Sequence, residues 1–199
     1  MLNKRKVQYE ILNKEVNVSN LHEHVVEYYV QLLRFVECRV NVSISRFNRA
    51  ACCHDCILLH YKDALYVWVH EAAHYLYTLL DTTQKAKLKE VVCDMCTSCY
   101  NFKEKMLKHI NTPHQGYVYS ALTDAYTIYY QNPDLLFEMP YVYTHSVGYG
   151  SENPKEYATK EAWANICELI MYDIKPPKRL EKLYETAAII LEELMIELF

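Results

Sequence analysis

Only three of the 199 residues are glycine. Average usage would place roughly 14 in a chain of this length. Sandwiches and barrels need many tight turns, and those turns need residues that tolerate positive φ. The chain therefore favours helices joined by short polar loops. Its hydrophobic fraction of 51% and net charge of −4 support a packed core and argue against disorder. No Pro/Gly/Ser-rich linker divides it, and no internal repeat is visible, so residues 1–199 read as a single domain.

Periodicity places the elements. Residues 20–38 carry Val25, Tyr28, Tyr29, Leu32, Leu33 and Val36 at helical spacing, and read as an N-terminal helical extension spanning 1–38. Residues 39–45 alternate, with Val40, Val42 and Ile44 on one face, as in a half-buried strand. A second strand is expected near 56–61. Residues 63–80 are too long and too apolar for a strand and read as a buried helix. Further helices are expected over 84–110 and about 118–131, followed by an irregular stretch over 132–152. At Asn153-Pro154-Lys155-Glu156 a helix start is written out: Asn as N-cap, Pro at the first position, and a Glu three residues on to reach back to the cap. That helix runs to about Asp173, Pro176-Pro177 breaks it, and 178–198 forms a last amphipathic helix. The expected fold class is α+β, mostly helical, with a small sheet beside the 63–80 helix.

Within that helix His70-Glu71-Ala72-Ala73-His74 spells H-E-x-x-H. Positions i and i+4 share a helical face, so both imidazoles can reach one zinc ion. Glu71 lies one step round the helix, beside the metal rather than on it, where it can take a proton from zinc-bound water. The flanking Trp68, Val69, Tyr75 and Leu76 are uncharged and bulky, as suits a helix packed into a core. Two buried, hydrogen-bonded histidines are the plainer alternative.

A catalytic zinc takes three protein ligands and keeps one position open. No His follows between Tyr75 and Leu80, so the third ligand must come from elsewhere. Glu161, on the 153–173 helix with Ala164 and Ile166 nearby, is the first candidate, because a carboxylate on an apolar helix face is costly unless paired or metal-bound. Glu168, one heptad later, is the second. Asp124 is a candidate acceptor for the far N–H of a ligand imidazole.

The segments VWVHEAAHYLY, ALTDAY, THSVGYGSENPKEY and KEAWANICELI together resemble the Glu-zincin domains related to anthrax lethal factor. They resemble still more the metallopeptidase-like domains of phage-encoded proteins, including those attached to minor head proteins, and of some polymorphic toxins. The likeness covers roughly residues 54–173, the expected metallopeptidase-like core. It implies a zincin-like domain with His70, His74 and Glu161 as Zn2+ ligands and Glu71 as general base. It also implies an oxyanion donor upstream of the third ligand, either Tyr149 or His145. Asn165 stands where lethal factor carries a second Glu. The implied activity is hydrolysis of a peptide or protein substrate. The competing expectation is a virion-associated structural module that keeps the fold with little or no activity.

The remaining composition narrows the partners. Twenty-one basic and 25 acidic residues give no general basic field for nucleic acid. No apolar run is long enough to span a membrane, and the amino terminus lacks a secretory h-region, so a cytoplasmic or virion-associated location is expected. Reduced thiols are then the default for the eight cysteines. Cys53-x-x-Cys56 and Cys93-x-x-Cys96-x-x-Cys99 match half of a zinc-binding pattern, but small buried thiols are the simpler reading.

Overall fold

The computed structural model describes residues 16–45, 50–61, 65–98, 125, 129, 153–176 and 178–199. Among these the fold is α+β and mostly helical. The helices are α1 (Glu27–Glu37), α2 (Tyr66–Leu79), α3 (Thr82–Thr97), α4 (Pro154–Met171) and α5 (Glu181–Leu198), the last entered through a 3-10 turn at Lys178–Leu180. The strands are β1 (Asn41–Ser45), β2 (Ala51–Cys52) and β3 (Cys56–His60). No helix among the described residues is long and apolar enough to cross a membrane.

The sheet is mixed, in the order β1-β3-β2. β3 is central, parallel to β1 with Asn41 opposite Cys56, and antiparallel to β2 with Cys52 opposite Ile57. Ile57 and Leu59 on β3 are fully buried, as period-2 alternation requires. On β1, Val42 and Ile44 are the half-buried face that the alternation predicts. β2 was not foreseen, since two residues are too few to show any period.

Helix α4 is the axis of the molecule. Every residue from Glu161 to Met171 is buried, and α2, α3 and α5 all pack on it. Its start follows the expected cap: the Asn153 side chain accepts from the Glu156 N–H at 3.3 Å, with Pro154 at the first position. Glu156 itself turns outward to α2, where its Oε1 accepts from the Tyr77 hydroxyl at 2.9 Å. Two further bonds tie α4 to the α2 region. The Trp163 indole N–H donates to Ala73 O at 2.8 Å, and the Tyr172 hydroxyl donates to Leu65 O at 3.3 Å. As position rises along α2 it falls along α4, so the two helices run antiparallel. Ala72 and Ala73 on α2, and Ala158 and Ala162 on α4, are fully buried. Small side chains at a helix crossing let the axes approach closely.

Most boundaries fall within three residues of expectation, and two starts have a clear local cause. α1 begins at Glu27 rather than near residue 20. The preceding residues form turns, with Asn17 N–H donating to Asn20 Oδ1 at 2.8 Å and His24 at φ 66°. Asn side chains offer the backbone such local partners in competition with helix bonds. α3 begins two residues earlier than expected, at Thr82, because Asp81 caps it. Asp81 Oδ1 accepts from the Gln84 N–H at 2.7 Å, and Gln84 Oε1 accepts from the Asp81 N–H at 3.0 Å. The expected continuation of α3 to 110 and the loop over 132–152 lie outside the described residues. Of the expected 118–131 helix, Ala125 and Tyr129 are described, and both are helical.

Trp163 fills the α2–α4 seam and is fully buried. Trp163→Ala is expected to cost about 3–5 kcal/mol, read as a lower urea midpoint with an unchanged slope.

Candidate metal centre

His70 and His74 project from successive turns of α2, and Glu161 meets them from α4. The antiparallel pairing that joins Ala73 to Trp163 brings Glu161 opposite this part of α2. Two imidazole nitrogens and the two oxygens of one carboxylate converge. His70 Nε2 and His74 Nε2 are 3.2 Å apart, His70 Nε2 and Glu161 Oε2 3.4 Å, and His74 Nε2 and Glu161 Oε1 3.6 Å. Two nitrogens and a carboxylate at these separations form a group able to hold a metal ion. His70 and Glu161 are 4% and 6% exposed, while His74 is only half-buried, so the group opens to solvent on the His74 side. Among the described residues this is the one such cluster of three or more His, Cys, Asp or Glu.

The second carboxylate candidate has a different place. Glu168 Oε1 lies 2.6 Å from His70 Nδ1, on the opposite edge of the ring from Nε2. An ionised carboxylate only accepts hydrogen bonds, so Nδ1 carries a proton, and Nε2 is the nitrogen that a metal ion would meet by displacing the other proton. Glu168 thus faces the far edge of the His70 ring and stands outside the three-residue group. Asp124 lies outside the described residues.

Three buried carboxylates belong to these two helices. Glu71, Glu161 and Glu168 are 7%, 6% and 2% exposed. Burial works against a charge on His70. Hydrogen bonds and charges from Glu161 and Glu168 outweigh it and hold the imidazole well above its ordinary range.

Glu71 lies next to His70 in sequence and about 100° round the helix from it, and it is buried. Its charge is felt on two neighbouring elements. The Cys52 thiol on β2 is pushed up to about 12 by burial first and by Glu71 second. The Tyr157 phenol on α4 is raised by burial, then by Glu161 and Glu71. Glu71 thus stands where α2 meets both the sheet edge and α4. Tyr157 was missed by the sequence reading. The available signal was its position one turn before Glu161, the same i, i+4 relation that joins His70 to His74. Tyr149 and His145 lie outside the described residues, as does Cys99.

The chain was compared with protein-family models, with curated proteins and with solved structures, and none matches it.

One equivalent of a divalent metal is expected to bind the purified protein. His70→Ala, His74→Ala and Glu161→Ala should each abolish binding, as read by competition with a chromophoric chelator. Glu168→Gln should keep the stoichiometry and weaken affinity about 10–100-fold, because only the orientation of His70 is disturbed.

Proposed function

We propose that the protein is a zinc-dependent metallopeptidase of the Glu-zincin type acting on a peptide or protein substrate. The observation that carries this reading is the triangle formed by His70, His74 and Glu161. Zinc with bonds of about 2.0–2.1 Å to N and O donors in a tetrahedron separates its ligands by about 3.3 Å. Here the two imidazole Nε2 atoms are 3.2 Å apart, and the Glu161 carboxylate meets them through different oxygens, Oε2 to His70 at 3.4 Å and Oε1 to His74 at 3.6 Å. Three protein ligands leave the fourth position for water or substrate, as in catalytic rather than structural sites.

When bound, zinc supplies an acidified water and polarises the peptide carbonyl. The remaining work belongs to side chains. Glu71, beside the triangle but not part of it, takes the proton from the attacking water and delivers it to the leaving amine. Its burial keeps bulk water from competing for that proton. The developing oxyanion needs a donor. The family resemblance assigns that role to Tyr149 or His145. Tyr157 is a third candidate, since its raised phenol keeps its proton at neutral pH and so remains a donor. The partly exposed His74 marks the side from which a substrate enters.

Glu71→Gln is expected to retain the zinc and to lower cleavage of a susceptible peptide about 10²–10⁴-fold. If the fully metal-loaded wild type cleaves nothing in a broad peptide library, the peptidase reading fails and a structural module with a metal site replaces it. Single Tyr149→Phe, Tyr157→Phe and His145→Ala variants identify the donor by which of them lowers kcat with KM unchanged.

A further inference from the structure

The hairpin joining β2 to β3 reads Cys52-Cys53-His54-Asp55-Cys56, and neither the metal centre nor the peptidase reading uses its thiols as a set. In the observed register Ala51 faces Leu58 and Cys52 faces Ile57. The next pair is then Cys53 opposite Cys56. The Cys53 N–H donates to Cys56 O at 2.7 Å, which makes this a hydrogen-bonded pair of the antiparallel ladder. Such pairs hold their Cα atoms about 5.5 Å apart. Disulfides span roughly 4.4–6.8 Å between Cα atoms, with the mode near 5.5–6 Å. The hairpin therefore already holds its two cysteines at bridging distance.

Access and chemistry agree with the spacing. Cys53 is exposed and Cys56 half-buried, so a small molecule in solvent can reach the pair. The neighbouring Cys53 side chain is the first cause that raises the Cys56 thiol, ahead of burial. Cys52 differs. Its side chain lies on the opposite face of the strand from that of Cys53, and its half-buried thiol is raised by burial and by the Glu71 charge. A thiol so suppressed is a poor nucleophile.

We propose that Cys53 and Cys56 form a dithiol site that closes to a disulfide by exchange with a small-molecule disulfide such as oxidised glutathione. The Cys53 thiolate attacks one sulfur of the oxidant and releases one thiol, leaving a mixed disulfide. Cys56 then gives up its proton and displaces the second thiol. One S–S bond breaks and one forms. Two electrons pass to the oxidant, and the two protons leave on its thiols. The product fixes the turn at the sheet edge that flanks Glu71. The site does not depend on hydrolysis at the metal centre.

The test uses the full chain loaded with metal. It is equilibrated with glutathione buffers of rising oxidised fraction, then alkylated and digested with trypsin. The tryptic peptide covering 50–62 contains Cys52, Cys53 and Cys56 and no other cysteine. The expected result is a peptide lighter by two hydrogen atoms that carries a single alkyl group. It should appear as the buffer becomes oxidising and vanish with dithiothreitol. Cys53→Ser and Cys56→Ser should each prevent closure, whereas Cys52→Ser should still close. Metal content should be unchanged between the two states. The proposal is overturned if Cys52→Ser abolishes closure. It is also overturned if the wild-type peptide remains fully alkylated in oxidised glutathione or stops at the mixed disulfide.

Discussion

The antiparallel contact between α2 and α4 is the constraint on which the rest of the structure depends. It is a core seam, built from buried alanines and from Trp163 donating to Ala73 O. It is also the means by which residues 87 positions apart in sequence, His74 and Glu161, come within 3.6 Å. The packing that stabilises the molecule and the geometry that assembles the metal centre are one arrangement. A shift of one residue along the seam would carry Glu161 about 1.5 Å along the helix axis and about 100° around it. The three-ligand triangle does not survive that.

The surroundings of His70 show how such a centre sits inside a core. The ring is held on two sides by carboxylates from a single helix, Glu161 and Glu168, seven residues apart. One meets Nε2, on the side of His74, and the other meets Nδ1. Two turns of α4 therefore hold one side chain on α2 from both edges of its ring. Buried carboxylates are expensive unless they are paired. Here the expense is offset within one cluster.

Much of this was legible in the sequence, and the unread part has a physical cause. H-E-x-x-H shows through because its spacing is local and helical. The start of α4 shows through because Asn153 and Pro154 are cap chemistry. Glu161 stood out as a carboxylate among apolar neighbours. By contrast, the role of Glu168 depends on which edge of a distant imidazole it faces, and the antiparallel register alone decides that. β2 is too short for periodicity, and its pairing is set by β3. The late start of α1 reflects Asn17 and Asn20 diverting backbone bonds into turns, a competition that a hydrophobic pattern does not register. Tyr157 was overlooked because nineteen tyrosines give none of them prominence.

The burial of Glu168 has a consequence beyond the centre it supports. It lies at 2% exposure on the most enclosed helix among the described residues, and its partner His70 is almost as enclosed. A cation held between His70, His74 and Glu161 would relieve the repulsion among carboxylates in that interior, and would favour the native state, which alone assembles the group. By mass action, a metal at 1,000 times its dissociation constant adds about 4.1 kcal/mol to the folded state, a large share of what a domain usually has. A metal bound there would link fold to ion supply: chains made when the ion is scarce would populate the unfolded state more, and proteolysis of that state would make their lifetime a gauge of metal availability.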